Sequence, residues 1–386
     1  MIHQHFKEPG KGGAIRSYYL AKALVDNGHR VVMITAFNES QSKIENIEGI
    51  EVYYLPVAYD NRFGFYARGR AFIRFMINSF RVVKKFSDFD RCYAISVPLT
   101  VGLTARWIKF RFGIPYIFEV GDLWPDAPIQ MGFVRNYFFQ RVLYAMERSI
   151  YQKAESIVAL STAIQSTIEK KVPGKKTFMI PNMSDCDFFK PEKKNPDLET
   201  KFGVQGKFVV SYMGAVGVAN GLDYFLECAN ASRKAELPVH FILCGDGAML
   251  EGLQTNAKRL DLQNFSFIDF VNRDGVREIM NVTDASFICY KSVPILETGS
   301  PNKFFDGLAG GKLIVINFEG WIKEEIEYHR CGIFVDSKHP TDFVKKIAPF
   351  VSETKLLNEY KDASRRLAEK KYSRKILSDA FSKLFA

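Results

Sequence analysis

Apolar and polar positions along the chain fall into two successive series of short hydrophobic runs separated by amphipathic stretches. The first series reads RVVMITAF (30–37), EVYYLPV (51–57), RCYAISV (91–97), PYIFEVG (115–121), SIVALS (156–161) and TFMIPN (177–182). The second reads FVVSYMG (208–214), HFILCGD (240–246), FSFIDFV (265–271), ASFICYK (285–291) and LIVIN (313–317). Short apolar runs with polar flanks predict strands buried on both faces, as in a parallel sheet. Between most of them the apolar positions recur at helical spacing. The first such helix is AIRSYYLAKALVDNGH (14–29), with Gly28 as its stop. Alternation of strand and helix, run through twice, predicts an α/β chain of two doubly wound domains, with ligand in a cleft at the carboxyl ends of their strands.

The domain boundary is expected in SDCDFFKPEKKNPDLETKFG (184–203), rich in Pro, Asp and Lys and read as a hinge. This gives an N-terminal domain over 1–183 and a C-terminal domain over 184–370. The last stretch, KYSRKILSDAFSKLFA (371–386), predicts an amphipathic helix with Ile376, Ala380, Phe381, Leu384 and Phe385 as its stripe. The first strand has little more than Met1 to Phe6 to build from.

Composition then narrows the class. A chain of 386 residues with 47% hydrophobic and 25% charged residues is long enough for two separate cores. It has no apolar run of the roughly 20 residues that would span a bilayer, and its start lacks the pattern of a secretion signal, which predicts a cytoplasmic location. The six cysteines stand singly, so neither a zinc site nor a disulfide framework is signalled.

Charge changes the picture more. The net charge is +10, and between Arg62 and Phe112 eleven Lys and Arg face only Asp88 and Asp90. Aromatic and aliphatic residues interleave them at helical spacing. Such a segment suits an anionic membrane surface or a polyanionic acceptor, or forms a solvated face over a core stripe. No recognised nucleic-acid-binding motif accompanies the charge, so no nucleic-acid partner is expected.

Two stretches carry candidate chemistry. EPGKGGAIRSYYL (8–20) sets Gly10, Gly12 and Gly13 before a helix, where backbone amides could meet an anion or form only a turn. It is neither a Walker A loop nor a dinucleotide fingerprint. VPILETGSPNKFFDGLAGGKLIVIN (293–317) carries Glu297 and Lys303 on a loop leading into a helix near Asn302, with Asp306 in its first turns. The loop amides of Thr298, Gly299 and Ser300 and the Lys303 ammonium can meet a diphosphate, while a carboxylate one turn onward can take two ribose hydroxyls. The same acids could simply cap the helix and pair with its dipole.

In chain order, GGAIRSYYLAKALVDNGHRVVMIT, FEVGDLWPDAPIQMG, SIVALSTAIQSTI, PNMSDCDFFKP, YMGAVGVANGLDYFLECA, ILCGDGAMLEGL and SPNKFFDGLAGGKLIV resemble the GT-B glycosyltransferases of family 4, a retaining group, over essentially the whole chain. DLWPDAPIQMG and PNKFFD look most like the bacterial branch that adds N-acetylated amino or deoxyamino sugars, of the N-acetyl-fucosamine type, to surface polysaccharides. The resemblance implies two Rossmann-like domains facing a central cleft, with the last helix crossing back to the N-terminal domain. It implies a UDP-sugar donor, a polyprenyl-diphosphate-linked glycan acceptor, no metal or other cofactor, and a peripheral place at the inner face of the plasma membrane through the basic 62–112 segment.

Carried over by position, the resemblance implies a catalytic group of Gly13, Asp122, Glu297 and Lys303. Donor binding falls to Gly12, Gly13, Asn220, Arg273, Glu297, Thr298, Gly299, Ser300, Lys303 and Asp306; the acceptor falls to Arg16, Trp124 and Asp126. Asp306 takes the second acidic position of the family's Glu-x7-Glu motif. The first acidic position is Thr298, and Glu297 is one residue off. GAVGVANG lacks the family's diphosphate-holding Arg and Lys, with Asn220 where the Lys stands, so Lys303, Arg273 and Arg16 become the replacements. The His found in many relatives before Asp122 is Gly121 here, which leaves Glu119, Asp122, Trp124 and Asp126 as local candidates for sugar recognition. The leaving diphosphate would itself take the acceptor proton. A nucleotide-sugar epimerase or hydrolase of the same fold, or a non-catalytic membrane-associated scaffold, are the other readings. The triplets DFD (88–90) and DCD (185–187) are not expected to hold metal.

Overall fold

In the computed structural model, which describes residues 1–11, 15–60, 63–86 and 88–385 without the side chains of Lys11 and Phe65, the chain divides into two units. The first comprises Met1–Pro181, Thr298–Ser300 and Leu377–Ala386; the second comprises Asn182–Glu297 and Pro301–Ile376. Gly12, Gly13 and Arg62 lie outside the described residues.

The first unit carries strands β1 (Val31–Phe37), β2 (Lys43–Ile47), β3 (Ile50–Pro56), β4 (Cys92–Ile95), β5 (Tyr116–Val120), β6 (Ser156–Ala159) and β7 (Thr177–Met179). They form the rows β1-β3-β2 and β4-β5-β6-β7. Ile2 joins the two rows, bridging in parallel to Ile34 of β1 and to Ala94 of β4. Its amide donates to the Tyr93 carbonyl at 2.8 Å, and its carbonyl accepts from the Ile95 amide at 3.0 Å. The segment around Ile2 thus takes the central place in the sheet through an isolated bridge. Counted from it, the parallel strands run outward through β1 and β3 on one side and β4 to β7 on the other, the reversal that defines a doubly wound sheet.

The second unit repeats the plan with β8 (Phe208–Met213), β9 (Val239–Cys244), β10 (Phe265–Ile268), β11 (Ala285–Ile288), β12 (Leu313–Ile316) and β13 (Gly332–Phe334). The order is β10-β9-β8-β11-β12-β13 and every neighbouring pair is parallel. Winding reverses between β8 and β11, so the point outside their carboxyl ends is where such a sheet accommodates a ligand. The central strands β11 and β12 are buried at every position and β8 at all but Met213, which is why these strands read as near-continuous apolar runs. Phe225, Phe241, Phe287 and Phe343 meet edge to face or tilted in the core. The expected pair of doubly wound domains is therefore present.

Three details differ from the sequence reading. β2 and β13 are additional. The hinge stretch is partly ordered packing: Phe189 is buried with Met280 and Ala309, and residues Pro196–Phe202 form a helix capped by the Asn195 side chain, which accepts from the Asp197 amide. In the final helix, Arg374–Ser382, Phe381 is buried as expected and Phe385 packs against Tyr93, whereas Ile376 is 41% exposed and Leu377 takes its place on the apolar stripe. No helix among the described residues is long and apolar enough to cross a membrane. The six cysteines are free thiols, five buried and Cys186 half-buried.

Candidate functional site

In the second unit, the chain leaves β8 through Gly214, whose φ of 147° lies in the region that only glycine adopts readily. A β-carbon there would also come within 3.1 Å of Lys303 Cε. Gly245, at the end of β9, is equally constrained, because a β-carbon on it would overlap the Gly214 carbonyl at 1.9 Å. The Gly214 amide donates to the Cys244 carbonyl at 2.9 Å, and the Val216 amide to the Asp246 carbonyl at 2.9 Å. Backbone contact between these loops is the physical content of the glycines in YMGAVG and CGDG.

Lys303 rises from the first turn of the helix Asn302–Ala309. Its ammonium donates to the Tyr212 hydroxyl at 2.9 Å and lies 4.4 Å from the Tyr212 ring centre. Burial pushes this ammonium down to about 8. One turn on, Asp306 is half-buried and its carboxylate receives no side-chain hydrogen bond among the described residues. Burial pushes its carboxyl up to about 7, against the pull of Arg273 and Lys303 and with a further push from Asp185. Arg273 pairs with Asp185 at 2.5 Å and lies 3.9 Å from the Phe188 ring centre. Arg374 also reaches Asp185, at 3.2 Å, and pairs with Asp187 at 2.6 Å. The acids of DCD thus engage arginines.

Of the sequence candidates, the second unit brings together Lys303, Asp306 and Arg273. Asn220 is close in sequence to Gly214 but buried, and its side-chain oxygen accepts from the Gly217 amide at 3.2 Å, so it shapes the loop. Glu297 is half-buried in the turn Pro294–Thr298, its carboxyl raised by burial and by Glu319. Thr298, Gly299 and Ser300 group with the first unit, where the Ser161 hydroxyl donates to the Thr298 carbonyl at 2.6 Å.

The first unit disposes its candidates differently. Arg16 is 6% exposed; its guanidinium pairs with Glu119 at 3.0 Å and donates to the carbonyls of Ile180 and Pro181. Tyr93 donates to the same Glu119 carboxylate. Arg16 and Glu119 therefore neutralise each other in the interior. Asp126 accepts from the Tyr144 hydroxyl at 3.0 Å and pairs with Lys171, which also holds Glu147. Asp122 is exposed and Trp124 half-buried. Sequence reading had not singled out Tyr212 or Gly214; the signal was an aromatic residue two positions before the glycine that ends β8.

Comparison with known proteins agrees with this architecture. Residues 11–183 match the model of the glycosyl transferase 4-like domain, and residues 195–367 match that of the glycosyl transferases group 1. A Bacillus subtilis (strain 168) relative, assigned by name to teichuronic acid biosynthesis as glycosyltransferase TuaH, is 27% identical over 232 residues, 59% of this chain. The match spans 56% of that relative's length. Among solved structures, sucrose-phosphate synthase from Thermosynechococcus elongatus superposes with a TM-score of 0.80 at 13% identity, covering 100% of this chain and 97% of the other. Anabaena Alr3699/HepE in complex with UDP-glucose superposes with a TM-score of 0.71 at 15% identity, covering 100% and 98%. At such identities these structures speak to the fold alone.

Proposed function

Because the chain belongs to the GT-B glycosyltransferases of the family 4 type, we propose that it transfers a sugar, with retention, from a UDP-sugar to a polyprenyl-diphosphate-linked glycan during assembly of a bacterial surface polysaccharide. The sugar is an N-acetylated amino or deoxyamino hexose, and the enzyme works at the inner face of the plasma membrane, with its basic segment toward the anionic surface. The observation that carries this reading is the helix Asn302–Ala309, which presents Lys303 and, one turn on, the Asp306 carboxylate, within the field of Arg273 and without a side-chain hydrogen bond among the described residues. A diphosphate needs the cation; the vicinal hydroxyls of a ribose need the carboxylate.

In the reaction, the bond between the anomeric carbon and the diphosphate oxygen breaks while an acceptor hydroxyl bonds to that carbon from the same face. The acceptor proton passes to the leaving diphosphate, so no side chain need act as base. Lys303 offsets the charge that develops on the leaving group. No metal is required, since the acids that might have held one, Asp185 and Asp187, are paired with arginines. Trp124 in the first unit is the acceptor-side candidate, and Asp122 the candidate of the catalytic group.

The test is incubation with UDP-N-acetylhexosamines and a polyprenyl-diphosphate acceptor, with the product anomer read by NMR. Transfer with retention supports the reading. Loss of UDP-sugar without an acceptor would point instead to an epimerase or hydrolase, and no binding of any UDP-sugar would point to a scaffold.

A further inference from the structure

The first unit holds a groove that the donor chemistry does not use. It has a volume of about 670 Å³ and runs along the helix Phe65–Val83, against the end of β3. Four cations line it, Arg70, Arg74, Arg81 and Lys85, and no acidic residue does among the described residues. The helix itself contains no Asp or Glu. At about 100° per residue, Arg70, Arg74 and Arg81 fall within an arc of about 40° along about 16 Å of helix, so they form one stripe. Arg81 donates to the Asn78 side chain at 3.0 Å.

Beside this stripe the groove is apolar. Leu55 and Val82 form its floor, and Ile73 and Ile77 line it while remaining 52% and 42% exposed. A plain polyanion would satisfy the cations but leave the isoleucines wet; a neutral hydrocarbon would do the reverse. A molecule with a phosphate at one end and a slender hydrocarbon chain satisfies both.

We propose that this groove binds the isoprenoid diphosphate portion of a lipid-linked substrate, the phosphates on the arginine stripe and the first isoprene units over Ile73 and Ile77. The proposal rests on the reading of the acceptor as lipid-linked, and gives that acceptor a built site rather than a diffuse charged surface.

The experiment measures binding of farnesyl diphosphate to the full chain by titration calorimetry, with inorganic diphosphate and phosphatidylglycerol vesicles as the parallel probes. The double variant Arg74→Glu/Arg81→Glu should weaken farnesyl diphosphate at least about tenfold, because two charge-assisted contacts are reversed. Ile77→Ser, which keeps every charge, should weaken farnesyl diphosphate several-fold and leave inorganic diphosphate unchanged. Equal binding of farnesyl diphosphate by wild type and both variants overturns the proposal. So does equal affinity for inorganic and farnesyl diphosphate, which would leave only a phosphate site, or binding to vesicles alone, which would leave only a membrane-surface contact. A UDP thermal shift on the same samples separates the two ideas: a shift retained in the variants shows that they are folded and that the donor site is intact. Groove binding without any UDP shift would sink the transferase reading and leave the groove standing.

Discussion

At Lys303 and Asp306 the same burial acts on opposite charges, lowering the ammonium to about 8 and raising the carboxyl to about 7. Donor binding as proposed needs both groups charged. Below about 7 Asp306 binds a proton and loses its strength as an acceptor; above about 8 Lys303 loses its cation. Affinity for UDP-N-acetylglucosamine, whose diphosphate diester does not titrate in this range, should therefore peak between those values and fall on both sides. Calorimetry from pH 6 to about pH 9 checks this, and a flat profile would contradict it. Asp306→Ala should weaken UDP by about 10- to 100-fold, the worth of hydrogen bonds to a charged group, while leaving inorganic diphosphate unaffected. Spacing made these two residues legible, because both depend on position along one helix. Arg16 was not legible in the same way. Its place after a glycine loop suggested a ligand, and only the tertiary structure shows Glu119, more than a hundred residues away, closing on its guanidinium at 3.0 Å. Asn220 is a similar case, expected at a diphosphate-holding position yet engaged in its own turn.

Elements were legible to the degree that both their faces are buried. β4, β5, β8 and β12 are apolar runs because helices lie on each side. β2 escaped notice because KIENI is an antiparallel edge strand whose residues alternate between half-buried and exposed, so it has no continuous run. β13 is too short, at three residues, to carry any period. The tail helix was found, with Phe381 and Phe385 on its packed face and Ile376 misplaced there in the position of Leu377. Its chain enters from a wide turn over Ala368–Tyr372, which a constant helical period does not anticipate. The contrast between Phe381 and Ile376 is testable. Phe381 is fully buried with its ring 4.8 Å from that of Tyr93, so Phe381→Ala should cost about 3–5 kcal/mol in denaturant unfolding of the purified chain. Ile376→Ala, at a 41% exposed position, should cost well under 1 kcal/mol, or about a tenth of a buried deletion. Equal costs would mean that the stripe runs through Ile376 after all.

For the whole molecule, two doubly wound sheets were predictable from alternation alone, since parallel strands need crossover helices. The chemistry was less so, because a transferase site is a property of side chains gathered from distant segments. Asp185, Arg273 and Arg374 meet through pairs 88 and 189 residues apart. Their pairing bears on metal use: initial rates should be the same with and without EDTA, and a rate restored only by added Mg²⁺ or Mn²⁺ would show that the arginine pairs open to a cation.

The six thiols have a practical consequence. Burial holds Cys92, Cys186 and Cys244 near 11 and Cys331 near 12, with Cys228 and Cys289 raised as well. The thiolate is the reactive form, so the folded chain should release almost no chromophore from Ellman's reagent at neutral pH, and six equivalents once denatured. A cysteine introduced on an exposed helix face would then be the fastest-reacting thiol in an otherwise native background. Single-site fluorophores or spin labels could be attached without first removing any residue the protein was built with.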